Sequence, residues 1–504
     1  MRSKKTLKNI KVDLFVTISI VLLGFLSRKV FIDHMGADVT GLMLLFVQLI
    51  GMINIAEMGV GTATASLLYK PLSNNDSVSI SKIVSSTAKI YNIISLLVLL
   101  IGTITGVVVY YSIPAVSEIK YSSVFWMLYV INTAASYLFA HYLILLTADQ
   151  KYYITRTIQG GAKIVCVAIQ LAAIILFKSF LIYILCETFF LAIQYFLFRK
   201  QIRTSYELHK IKDNYVESTE FCEIKKRIKN VFFHKIGGVL VFNTDYLIIS
   251  RFLNLTAVTI YSSYMMIFQA LAMIVNILGN SVTASVGNYL TNKNAHEKKV
   301  LWDRIIMLFF FIATCMTLIT FLTITNFVQL WIGSEYILDE YTLYFLLANL
   351  FILISRVAID IIKNASGEFS DIYLPLIEGV INVMLSVLLV REFGFIGVII
   401  GTLVSNVIII CLAKPIYLYR RILHGSITGF LLSMAKPIIL TAVSVLTVTS
   451  YARFWTYTDN LYSWGAEAVI AGMITVATVS VIFSISSDFR YVIRRVVSLL
   501  IAKK

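Results

Sequence analysis

Apolar stretches of about twenty residues recur along almost the whole chain, separated by short polar connections. This pattern constrains the fold more than any other feature of the sequence. A helix needs about 20 predominantly apolar residues to cross the hydrocarbon of a bilayer, and there every backbone N–H and C=O must be satisfied within the segment. By that criterion spans fall at 12–33, 41–66, 83–111, 122–147, 154–176, 179–199, 231–252, 257–290, 302–327, 340–363, 372–391, 395–414, 432–452 and 464–487. The sequence therefore predicts an all-α integral membrane protein of about fourteen transmembrane helices. Composition agrees. Charged residues make up 14% of the 504 positions, against about a quarter in a soluble globular chain. Three of the five prolines (Pro71, Pro114 and Pro415) lie between apolar runs, and Pro375 and Pro437 sit near the start of one, where the missing N–H is best tolerated.

The net charge of +16 would suggest nucleic acid in a soluble protein. Here it reports orientation. Most Lys and Arg lie in the two termini and in every second connection; the intervening connections hold Lys120, Lys178, Arg251, Arg391 and Arg453. An excess of Lys and Arg marks the cytoplasmic side, which places both termini there and excludes a nucleic-acid partner. Arg2, Lys4, Lys5 and Lys8 precede an apolar run with no small-residue cleavage site after it, so this is read as an uncleaved first span. Trp126, Trp302, Trp331 and Trp455 fall near span ends, as an interfacial belt would. The scattered cysteines have neither disulfide nor zinc spacing. His141 and His234 have no ligand neighbour at helical spacing.

The longest polar segment, 200–230, is basic and divides the chain. The domains follow: an N-terminal six-helix lobe (1–199), a cytoplasmic basic linker (200–230), a C-terminal six-helix lobe (231–414), an additional helix pair (415–487) and a basic amphipathic tail (488–504) suited to the lipid surface. A faint echo between the lobes, Ser27-Arg28 followed by Asn54 and Ser250-Arg251 followed by Asn276, fits the paired repeats of transporters.

Ionisable groups inside a membrane are costly and mark pathways or partners. Polar residues recur at helical spacing on several spans: Asn54, Glu57, Gly61 and Thr64; Arg156, Gly160, Lys163 and Gln170; Glu187 and Gln194; Asn276, Asn280, Thr283 and Gly287; Asn349, Arg356, Asp360 and Lys363; Glu378, Asn382 and Ser386. Each stripe taken alone could be an interhelical hydrogen bond or a local ion pair, as Arg356–Asp360 at i, i+4 would be. Together they point to a hydrated cavity. Arg28, Lys163 and Arg356 are cations within apolar spans on polar faces. Arg28 has no acidic residue three or four positions away. Gly397, Gly401 and Ser405 form a small-residue ladder for close helix packing. No phosphate-cradling loop and no catalytic constellation occurs, so the chain reads as a transporter without a cofactor rather than an enzyme or an ATPase.

Four stretches carry a family resemblance: NIAEMGVGTATASLLYKPL (54–72), HKIGGVLVFNTDYLIIS (234–250), YSSYMM (261–266) with NSVTASVGN (280–288), and LIEGVINVMLSVLLVREFGFIGVIIGTLVSN (376–406). In these the chain resembles the polysaccharide flippases, the O-antigen and capsule repeat-unit transporters of the MOP superfamily. The resemblance implies a two-lobed V-shaped bundle that alternates between cytoplasmic and external openings in the bacterial cytoplasmic membrane. Its cargo would be an undecaprenyl-pyrophosphate-linked oligosaccharide for cell-surface polysaccharide assembly, with a polysaccharide polymerase and glycosyltransferases as partners. Arg28, Lys163, Arg356, Asn54, Glu57, Asn276 and Asn280 are then expected to contact substrate. Asp245, Glu378 and Asn382 fall on helices where relatives bind a cation, which implies Na⁺ or H⁺ coupling. Two alternatives stand beside this reading. A drug/cation antiporter of the same superfamily would have twelve spans. A membrane glycan polymerase would have a large catalytic outer loop.

Overall fold

In the computed structural model the described residues are 2–57, 59–208, 244–291, 293–368, 370–371, 373–452, 455 and 458–501. Among them every regular element is helical. Among the described residues eleven helices are long and apolar enough to cross a membrane, or twelve when the bent pair Ser122–Tyr137 and Ala140–Ala148 is one span. Two features account for the difference from the fourteen expected. The candidate span Lys11–Ile53 has 43 residues, about 65 Å at 1.5 Å per residue, roughly twice the hydrocarbon thickness. It contains a break at Gly36, whose φ of 80° and ψ of 169° interrupt the helix. A side chain at that φ would be strained, so glycine allows one long apolar stretch to serve as two passes. The seventh expected span, 231–252, lies mostly outside the described residues, with only its end visible as a helix over 244–252.

The second expected span, 41–66, is discontinuous. A 3₁₀ turn occupies Asn54–Glu57, Gly59 adopts φ 105°, and a new helix runs Val60–Ser73. Several helices start on polar caps that satisfy the orphan N–H groups of the first turn. Asp76 accepts from Ser79 N at 3.0 Å and Asp339 from Thr342 N at 3.0 Å. Asn460 accepts from Ser463 N at 2.8 Å, and Asn294 forms a reciprocal capping box with Glu297.

The chain divides into two compact units, Met1–Thr259 and Ile260–Lys504. The basic linker expected at 200–230 falls largely outside the described residues. In the first unit Phe46 packs edge-on against Trp126 at 5.1 Å, and Phe31 against Tyr183 at 5.2 Å. Thr259 donates to the Ala37 carbonyl at 2.7 Å, just beyond the Gly36 break. In the second unit Phe311, Phe483 and Phe489 form a buried aromatic cluster. Through Phe489 it holds the basic C-terminal helix Ser487–Ile501 against the Ala295–Ile332 helix. Between Phe395–Asn406 and Lys414–Leu423 the backbone widens into a π-helix over Val407–Ala413. Pro415 follows one residue later. It can donate no i→i−4 bond and its ring crowds the carbonyl four residues back, which a wider turn relieves.

Candidate functional site

Arg28 is 8% exposed, in the electrostatic range of Tyr183 and Tyr246. Its neighbour Lys29 pairs with Asp33 on the surface at 3.2 Å. Around the break in the second span, two tyrosines that the sequence reading passed over gather its polar residues. Tyr91 donates to Glu57 at 3.0 Å and Tyr137 to Asn54 at 2.8 Å, their rings stacked 5.9 Å apart. The expectation of a continuous helical stripe through Asn54, Glu57, Gly61 and Thr64 is therefore corrected, because the turn at Gly59 changes the helical phase between Glu57 and Gly61.

The stripe on the Tyr152–Phe177 helix resolves into separate contacts rather than one polar face. Arg156 binds Asp13 at 2.6 Å and Thr17 at 2.8 Å. One turn on, Gly160 lies against Val16, so this part of the stripe is packing between helices. Lys163 pairs with Glu187 at 3.2 Å across to the Phe180–Ser205 helix. Buried Gln170 donates to the Tyr183 carbonyl at 2.9 Å. Asp245, on the 244–252 helix of the same unit, is 3% exposed.

In the second unit the tenth expected span is interrupted at Arg356, between Glu340–Ser355 and Val357–Ser366. Arg356 contacts Asp360 at 3.4 Å. Lys414, placed directly after the π-helix, binds the other oxygen of the same carboxylate. Lys363 pairs with buried Asp371. Asp360, Lys363 and Lys414 line a cavity of about 280 Å³ together with Asn276, Asn280 and Thr283. In the sequence Lys414 is no more than the last residue of the span at 395–414; only its spatial meeting with Asp360 marks it as a cavity residue.

Glu378 (4% exposed) and Asn382 (0%) follow one turn apart on the Tyr373–Phe393 helix. Asn382 donates to the Thr402 hydroxyl at 2.9 Å on the neighbouring helix. A carboxylate, an amide oxygen and a hydroxyl are hard oxygen donors of the kind that suit a small monovalent cation. The two helices approach through the small-residue ladder: a Cβ on Gly401 would lie 2.7 Å from Ser386 N and one on Gly397 2.2 Å from the Leu389 carbonyl oxygen.

No family model matches the chain, and no curated protein matches it in sequence. Solved structures do match the fold. The lipid II flippase MurJ in an inward closed conformation superposes with a TM-score of 0.69 at 14% identity, covering 93% of this chain and 98% of its own. An inward-facing multidrug resistance MATE family transporter of the MOP superfamily superposes at 0.58 and 14% identity, covering 82% and 98%. A MOP superfamily transporter from Pyrococcus furiosus superposes at 0.50 and 13% identity, covering 84% and 95%. This is an all-α, multi-pass membrane protein with the fold of MOP-superfamily transporters. The structures sharing that fold are transporters and flippases rather than enzymes.

Proposed function

We propose that the chain is a flippase. It moves undecaprenyl-pyrophosphate-linked oligosaccharide repeat units from the cytoplasmic to the outer leaflet of the bacterial cytoplasmic membrane by alternating access. The observation that carries this reading is the match to the lipid II flippase over 93% of this chain; the MATE transporter accounts for 82%. The four co-linear motifs quoted above point the same way. Arg28 is the residue assigned to the pyrophosphate, since a buried guanidinium presents a planar fork to phosphate oxygens. Lys163 and Arg356, which face carboxylates, are assigned to the pyrophosphate together with it. Asn54, Glu57, Asn276 and Asn280 are assigned to sugar hydroxyls.

Coupling is assigned to Glu378 and Asn382 with the Thr402 hydroxyl, and to Asp245. Na⁺ or H⁺ bound at such carboxylates removes the cost of an uncompensated charge in low dielectric. It biases the conformational equilibrium by its differential affinity for the two states. A drug/cation antiporter is the second reading, favoured by the MATE match.

Proteoliposomes holding a fluorescent polyprenyl-pyrophosphate oligosaccharide test both parts. Wild-type protein is expected to flip it and to respond to an imposed Na⁺ or pH gradient. Arg28→Gln should lose flipping at matched protein level, and Glu378→Gln and Asp245→Asn should bind cargo but lose the gradient response. Gradient-driven uptake of small organic cations without flipping would establish the antiporter instead.

A further inference from the structure

We propose that the second unit carries a site for an amine-headed membrane lipid, its ammonium held among Glu340, Tyr344, Trp455 and Trp464 and its acyl chain in an adjoining apolar groove. Two cavities make up the site. One, of about 520 Å³, lies where the Ala295–Ile332 and Glu340–Ser355 helices meet Trp455 and the start of the Leu461–Phe483 helix, and those four side chains line it. The other, of about 770 Å³, runs along Leu318, Leu347, Phe351 and Val445. Phe321 and Tyr344 line both, so the polar mouth continues into the apolar groove. Two hydroxyls in the groove are turned inward on each other or on the backbone: Thr314 meets Thr441 at 3.0 Å and also donates to the Phe310 carbonyl. Apart from the Thr317 hydroxyl, which is buried without a partner, the rest of the groove is lined mainly by apolar side chains, and an alkyl chain loses nothing by entering.

The mouth has the opposite chemistry. Ring faces attract ammonium groups through their quadrupoles, tryptophan most strongly, and a carboxylate beside them supplies the counter-charge. Trp464 is pinned in place, its indole N–H donating to the Thr323 carbonyl at 3.1 Å and its ring 4.8 Å from Phe327. Glu340 is oriented by the Tyr344 hydroxyl. Glu467 also lines the mouth and has a partner of its own, so the assignment rests on Glu340 and the rings. Among the described lining residues there is no Lys, Arg or His; Arg453, nearby in the sequence, lies outside the described residues. A pyrophosphate head would meet carboxylates without a described counter-ion, which separates this site from the cargo path. The positive-inside reading puts this end at the outer surface, at the depth where tryptophan belts and lipid head groups meet. The site does not depend on the flippase assignment.

The full-length protein in detergent, titrated with phosphatidylethanolamine and phosphatidylglycerol whose acyl chains are brominated, tests the proposal by quenching of tryptophan fluorescence. Phosphatidylethanolamine is expected to quench at about tenfold lower concentration than phosphatidylglycerol. Trp455→Phe with Trp464→Phe should remove the saturable component. Glu340→Gln, which keeps the side-chain shape at the helix start, should abolish the preference while thermal unfolding stays unchanged; if it unfolds the protein, Tyr344→Phe serves in its place. Equal quenching by the two lipids, or a preference for phosphatidylglycerol as Arg453 in the mouth would produce, overturns the proposal. So does a Glu340→Gln protein that retains the preference.

Discussion

Gly160 and Gly161 are consecutive on the Tyr152–Phe177 helix, and their surroundings differ completely. A Cβ on Gly160 would lie 2.2 Å from Val16 Cγ1, while one on Gly161 would meet nothing within 4 Å. Valine is stiff at χ1 and cannot swing aside cheaply. Gly160→Ala is therefore expected to destabilise by about 1–3 kcal/mol through overpacking. Gly161→Ala should be neutral or stabilise by up to about 1 kcal/mol, because alanine is the better helix former. Thermal unfolding of the two variants in detergent checks this, and equal melting temperatures would contradict the packing described. The same reasoning explains why Gly160, grouped with Arg156 and Lys163 as a polar stripe in the sequence, is a packing residue. The spacing placed it on a face; the residue on the facing helix gave that face its role.

At the scale of the element, helix ends in this chain depend on single polar side chains outside the apolar runs. Asp76 caps Ser77–Ser112. Hydrogen bonds from the side chain and then the backbone of Ser79 hold its carboxyl below the usual carboxylate range. A carboxyl with a lowered folded pKa contributes stability at neutral pH and loses it as the pH falls through that lowered value. Deuterium exchange of the 77–83 segment, corrected for intrinsic rates, should thus lose protection on acidification in the wild type. Asp76→Asn keeps a cap but no titration and should show no such pH dependence; an identical profile would remove Asp76 as the cause. The uncharged counterpart is Asn294, whose carboxamide accepts from Glu297 N at 2.9 Å. Asn294→Ala is expected to cost about 1 kcal/mol, read as faster exchange in the first turn of Ala295–Ile332.

For the whole molecule the charge pattern makes a prediction about sidedness. Cysteines placed at Ser112 and Asp459 in a cysteine-free background should react with an impermeant thiol reagent on intact cells. One at Asn75, in the connection between Lys70 and Lys82, should react only after permeabilisation. Labelling of Asn75 in intact cells would reverse the orientation. Ser112 ends its helix, and Asn75 and Asp459 lie outside helices, Asn75 at φ 53°, so reagent access to them tests sidedness rather than burial.

Membrane residence, helical class and approximate span positions are determined by the sequence, because hydrocarbon imposes one local condition on every span: enough apolar residues in a row, with the backbone satisfied internally. The membrane-embedded polar residues are visible there too, because each is exceptional against an apolar background. The sequence could not state what they touch. Tyr91 on Glu57, Arg156 on Asp13 and Lys414 on Asp360 join residues 34, 143 and 54 positions apart, and no local period encodes such partners. The breaks at Gly36 and Gly59 and the π-helix before Pro415 were equally hidden, since glycine and proline permit such departures without requiring them. Long-range packing selects which departure occurs, and so tertiary structure decided which polar residues became helix-to-helix contacts and which came to line a cavity.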